Sequence, residues 1–171
     1  MAGTLDDYKK EAFSDNQNLC KDYRNKWEEC RNKKDHIDMM MSTTGLDYTC
    51  DAIHKGWGLS QEYLKANFGM FMNGKYISNQ QRYDSRLYCG YKGCITADVT
   101  VICIIGGEVD IVVPDWQFVH LYVSDKARIS IKGNGRVVLN HYGAIAINGQ
   151  HPSRINNKNW RIINKQERDD Y

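Results

Sequence analysis

Asp98–Ile147 reads DVTVICIIGGEVDIVVPDWQFVHLYVSDKARISIKGNGRVVLNHYGAIAI, and this stretch decides the fold. Apolar, β-branched segments recur in it: DVTVICII, EVDIVV, FVHLYV, ARISI, RVVLN and AIAI. Between them stand Gly106-Gly107, Pro114-Asp115, Ser124-Asp125, Gly133-Asn134-Gly135 and Gly143. The punctuation falls about every nine residues, inside the ~8–12 spacing of sandwiches, barrels and solenoids. Apolar and polar residues alternate within most segments, as at Ile129 and Ile131 against Arg128, Ser130 and Lys132, which predicts one buried face and one wet face. VTVICII is apolar on both faces, so it should be covered on both sides or lie in an interface. Two architectures fit. A small β-solenoid with about two segments per coil is preferred, because the segments are even in length and ISIKGNGRVVL reads as coil, corner, coil. An antiparallel β-sandwich of hairpins is the alternative, with Gly133-Asn134-Gly135 as a tight turn.

Upstream the period changes. Leu19, Tyr23, Trp27, Cys30, Ile37 and Met41 fall mostly three or four apart, with Lys34 interrupting, which predicts an amphipathic helix over about 16–41. Asp22–Lys26 and Glu29–Lys33 sit acid before base at four residues, the favourable order on a helix. Thr4 with Asp6 and Asp7 suggests an earlier helix start. Ser42-Thr43-Thr44-Gly45 ends the long helix, a short helical piece follows through LDYTCDAIHKG, and Ser60 caps another through QEYLKANF, closed by Gly69. The expected class is therefore α+β. Residues 1–69 form a helical region, 70–85 a loop, 86–149 the β-domain and 150–171 a polar tail with one short strand at WRII.

A chain of 171 residues fits one domain and can bury roughly 70% of its unfolded surface without disulfides or metal. The net charge of +2, from 23 basic and 21 acidic residues, excludes a strongly basic nucleic-acid binder and an acidic solvating protein. MAGTLDDYKKEAF has no apolar segment to serve as a signal peptide, and no apolar run approaches the ~20 residues of a membrane span. The six cysteines are accordingly expected to be reduced thiols.

Searches for chemistry end in turns and surface groups. Cys89 and Cys94 have four residues between them and no second pair downstream, so no zinc site is expected. The histidines form neither H-E-x-x-H nor H-x-E, and no G-x-S-x-G elbow is present. Asp115, His120 and His141 would have to converge across strands to make an acid/base group, and Asp110 with Asp115 is the nearest carboxylate pair. Gly133-Asn134-Gly135 lacks the lysine and helix of a phosphate loop. Arg154, Lys158, Trp160, Arg161, Lys165 and Arg168 mix base with aromatic, yet Glu167, Asp169 and Asp170 follow at once, which reads as a solvated tail. No catalytic residue, metal, cofactor or specific nucleic acid is expected.

The interaction candidates are the helix stripe Leu19, Tyr23, Trp27, Ile37 and Met41. It either packs on the chain's own β-domain or pairs with copies of the chain or a partner. Trp116, Tyr122 and Tyr142 are candidate exposed aromatics.

KGWGLSQEYLKANFGMFMNGKYI (55–77), SRLYCGYKGCITADVTVICIIGGEVDIVVP (85–114), LCKDYRNKWEEC (19–30) and GNGRVV (133–138) together resemble a group of small uncharacterised proteins of Bacteroides tailed phages and prophages, crAss-like phages included. The resemblance spans roughly residues 19–145, and GWGLS before a helix is its most distinctive piece. It carries no catalytic residue. It implies a phage-encoded structural protein of the virion, made in the bacterial cytoplasm without a signal peptide. Such a connector, collar, tail or capsid-surface element would work through contacts with copies of itself and other virion proteins. A binding module for a cell-surface glycan or host factor is the alternative, and a solenoid-type polysaccharide hydrolase a more distant one.

Overall fold

The computed structural model describes residues 21–56, 59–79, 83–143 and 145–165. Nine short strands follow the helices: β1 Ser85–Cys89, β2 Lys92–Thr96, β3 Val101–Ile105, β4 Glu108–Val112, β5 Phe118–Ser124, β6 Arg128–Lys132, β7 Arg136–His141, β8 Ala146–Ile147 and β9 Trp160–Asn164. Odd strands stack as β1-β3-β5-β7-β9 and even strands as β2-β4-β6-β8, so the chain crosses from one sheet to the other at every corner. Every pairing within both sheets is parallel. This is a small β-solenoid with two strands per coil. The hairpin sandwich is overturned, because hairpins pair antiparallel. Successive coils advance by 16, 19, 18 and 23 residues, read from Ser85↔Val101, Val101↔His120, Phe118↔Arg136 and Val137↔Trp160. Unequal coils leave no residue-level repeat for the eye to find.

Inward-pointing residues alternate as the strand period requires. Ile102, Ile104, Leu121, Val123 and Leu139 meet Val109, Ile111, Ile129, Ile131 and Ile147 in one buried cluster between the sheets. Corners stack too closely for side chains in places. At Gly107 (φ +81°) a Cβ would lie 2.2 Å from the Tyr91 carbonyl oxygen, and at Gly133 (φ +93°) 2.1 Å from that of Val113. Only glycine accepts both that conformation and that approach.

The helices α1 Lys21–Glu29, α2 Lys33–Met40, α3 Thr43–Lys55 and α4 Gln61–Phe68 form a second layer. They bury a cluster of Trp27, Ile37, Met40, Leu46, Leu64 and Phe68 against Leu87, Cys89, Val101, Cys103 and Ile105, the outward residues of the odd-strand sheet. All five residues of β3 are therefore buried, meeting the expectation that VTVICII is covered on both sides.

Of the helix expected over about 16–41, the described residues form α1 and α2, separated at Cys30–Asn32, and residues 16–20 lie outside the described residues. Asn32 adopts extended backbone (φ −153°) and its side chain accepts a hydrogen bond from the Asp35 amide at 2.9 Å. Asparagine caps a helix start better than it propagates a helix. The resulting bend sets the Trp27 ring edge-on to His36 at 4.6 Å. The strand expected in a separate tail is β9, the fifth member of the odd-strand sheet. The β-region thus reaches Asn164 instead of ending at residue 149.

Candidate functional site

Among the described residues, no helix lies over one broad face of the solenoid. The outward residues of the even-strand sheet line an open groove of about 1030 Å³, with Lys92, Glu108, Asp110, Arg128 and Lys132 among its walls. Parallel register puts them in straight rows across the strands: Lys92, Glu108, Arg128 and Ala146 in one, Cys94, Asp110 and Ser130 in the next, Thr96, Val112 and Lys132 in a third. Glu108 and Arg128 approach to 4.0 Å with their side chains 61% and 75% exposed, so the pair organises charge without contributing much stability. At the lower rim Asn148 (φ +49°) accepts from the Ile131 amide at 2.9 Å and ties β8 to β6. The first row alternates in sign along the stacking direction, whereas the second carries only Asp110 and the third only Lys132. They hold no aromatic platform and no pair of carboxylates isolated from cations.

The structure redistributes the sequence candidates. Trp27 and Ile37 are fully buried and Met41 nearly so, all inside the chain's own helical layer. These three therefore pack against the chain's own β-domain, the first of the two arrangements expected for the stripe; Leu19 and the side chain of Tyr23 lie outside the described residues. Tyr142 is corrected. It is 1% exposed because α3 lies over it, and its hydroxyl donates to Asp47, which also pairs with Lys165 at 3.5 Å. Burial raises its pKa, and the nearby Cys50 and Asp47 add to the rise. Tyr122 is half-buried against the same layer, and burial pushes it up to about 12. Trp116 stands out at the turn before β5, 79% exposed.

Asp115, His120 and His141 do not converge. His120 pairs with Val138 on the outward side of the odd sheet, whereas His141 pairs with Val123 on the inward side. Burial lowers the pKa of both imidazoles. Among the described residues no group of three or more His, Cys, Asp or Glu is placed to hold a metal ion, and no helix is long and apolar enough to cross a membrane. The described cysteines are free thiols, including Cys50 and Cys103 with their sulfurs 3.7 Å apart.

Sequence reasoning named Asp110 and missed Lys92, Glu108, Arg128 and Lys132 as one surface. The signal was present in EVDIV and RISIK, whose polar positions share a parity. Joining them needed the coil register, which residue spacing alone does not give. Comparison with family models, with curated proteins and with solved structures gives no match to this chain.

Proposed function

We propose that this protein works by presenting a surface rather than by turning over a substrate, as a homo-oligomeric structural element of a tailed-phage particle. The observation that carries the docking part is the bare even-strand face, rigidly backed by the solenoid core and patterned Lys92, Glu108, Arg128 in register. The pattern is self-complementary. A second copy turned about an axis along the strands, and slid by one strand spacing of ~4.8 Å, sets Lys92 over Glu108 and Glu108 over Lys92. Isologous contacts of this kind close into dimers or larger symmetric assemblies. The phage part rests on the resemblance carried by GWGLS and its neighbouring segments.

The test is the assembly state of the purified full chain by sedimentation velocity at low and high salt, with mass spectrometry of phage particles. The expected result is a self-associated species that weakens as salt screens the rows and dissociates in Glu108→Lys. A strictly monomeric chain that is also missing from particles would overturn the reading.

A further inference from the structure

Two thiols meet where the helical layer lies on the solenoid. Cys103 sits at the centre of β3 on its outward side, beside Leu87 of β1 and Tyr122 of β5. Cys50 lies on α3, and the two sulfurs are 3.7 Å apart with both residues fully buried. Two hydrogen bonds hold α3 in this place. The Ser124 hydroxyl at the end of β5 donates to the Cys50 carbonyl at 2.9 Å, and the Tyr142 hydroxyl donates to Asp47, one turn earlier on the helix. The cysteines are 53 residues apart in sequence, so the packing of the layers, not local chain geometry, brings them together.

The other described cysteines are placed differently. The Cys30 thiol donates to the Lys26 carbonyl, the Cys89 thiol donates to the Gln61 carbonyl, and Cys94 is exposed on the opposite sheet. A buried thiol fills space as a small hydrophobe, but two in contact have a second chemistry open to them. A disulfide has an S–S bond of about 2.05 Å. The Cys50 and Cys103 sulfurs need to close by only roughly 1.7 Å to make one, a distance on the scale of a χ1 rotation.

We propose that Cys50 and Cys103 form a redox latch between the two layers, open as a pair of thiols and closed as a disulfide. The oxidant is a low-molecular-weight disulfide. One protein thiolate attacks a sulfur of that disulfide, giving a mixed disulfide and expelling one small thiolate. The second protein thiolate attacks the mixed disulfide at the protein sulfur, forms the Cys50–Cys103 bond and expels the other small thiolate. The two protons shed by the protein thiols end on the expelled thiolates, so one small disulfide is reduced to two thiols. The folded layers gate this exchange. The adjoining Cys103 thiol and then burial hold the Cys50 thiol protonated well above its ordinary range, whereas thiolate is the attacking form. Exchange therefore proceeds as α3 lifts from β3, and the bond fixes the layer when it docks again. The closed latch encloses α4, β1 and β2 in one covalent loop, which restricts the unfolded chain. On the assembly role proposed above, the chain is made in a reducing cytoplasm and leaves it in a particle, so it meets both conditions.

The experiment incubates the full chain at neutral pH with glutathione disulfide, maps the linked peptides by mass spectrometry, and measures Tm with and without dithiothreitol. A Cys50–Cys103 peptide is expected, with Tm raised by about 5–10 °C in the oxidised protein and restored by dithiothreitol. Cys50→Ala and Cys103→Val should each remove the redox-dependent part of Tm, whatever they do to the reduced baseline. Asp38→Ala, which loosens the helical layer, should speed the oxidation several-fold. Thiols that stay reduced even in Asp38→Ala, mixed disulfides alone, or a linked protein that melts no higher than the reduced one would each overturn the latch. Glu108→Lys should oxidise as the parent does, which keeps a failure of the latch distinct from a failure of the docking face.

Discussion

The solenoid has two outer faces built on one core, and their sequences diverge most at the positions that point outward. On the odd-strand sheet those positions include Leu87, Cys89, Val101, Cys103 and Ile105, and the helices cover them. On the even-strand sheet they are Lys92, Glu108, Asp110, Arg128 and Lys132, and the groove leaves them bare. Isoleucine, leucine and valine dominate the inward positions of both sheets, with Tyr88, His141, Trp160 and Asn164 among the exceptions on the odd-strand sheet. An element with a single buried face reads as alternation, and one buried on both faces reads as a run. The contrast between VICII and EVDIV thus records where the helical layer sits before any helix is considered.

The sharpest way to break this comparison is to place the same charge on each face. Cys103→Asp puts a carboxylate between the layers, at a fully buried position against Cys50. The expected loss is about 4 kcal/mol or more, since an unpaired charge is being buried. Ser130→Asp adds the same charge to the bare face and should change stability by no more than about 0.5 kcal/mol. Urea unfolding of the two variants beside the parent measures both, and equal losses would mean that the faces do not differ as described.

A smaller effect sharpens how the covering layer is held. Asp38 on α2 is nearly buried and accepts hydrogen bonds of 2.8 Å each from Lys34, the Tyr76 hydroxyl and the Ser78 hydroxyl. Ser78 pairs in turn with Ser85 at the start of β1, so this carboxylate joins the helical layer to the solenoid's first strand. Burial alone would raise its pKa, but the bonds from Lys34, Ser78 and Tyr76 outweigh burial and hold it below the usual carboxylate range. A depressed folded pKa contributes stability that is present above the unfolded value of about 4 and is lost as pH falls through the folded value. Asp38→Ala should therefore cost about 2–4 kcal/mol at neutral pH, leaving two hydroxyls without their acceptor. It should also flatten the acid limb of stability against pH, measured by denaturant titration from neutral pH down to acid.

What the sequence disclosed follows the same division. Period-two alternation, Gly at the corners and the doubly apolar β3 gave the strands, the coil size and the need for a cover. Ser60 as a cap was also readable, and its hydroxyl does accept from the Tyr63 amide at 3.0 Å. The α1–α2 break was not read, because Asn32 occupies a polar position that a continuous helix tolerates, and its capping role depends on the backbone angle it takes. The two placements of Trp27 were not separable, and Tyr142 was placed outside, for a related reason. An aromatic residue at the right spacing looks alike whether it meets a partner or its own sheet, and only tertiary packing decides. The last coil was the least legible part. His141 shares the parity of Val137 and Leu139, so a polar residue at an inward position was there to be noticed. Its neighbours His151, Ser153 and Asn156 come from a loop whose return depends on the length of the final coil.

The gentlest probe uses the thiols already present as reporters for the two faces. Cys94 is exposed on the bare sheet, whereas Cys50 and Cys103 are fully buried and Cys89 nearly so. Thiolate is the reacting form, and burial pushes Cys89 up to about 12, which withholds its thiolate at neutral pH as well as its access. In native protein, iodoacetamide should label Cys94 before the other described cysteines, with little change in Tm, because that side chain is exposed. Cys50 and Cys103 should react only when the helical layer lifts from β3, so their rates should rise in Asp38→Ala while that of Cys94 stays constant. Peptide mapping by mass spectrometry separates the sites. Labelling of Cys103 as fast as Cys94 in the unmutated chain would show that the layer is not docked, and the distinction between a covered and a bare face would fall with it.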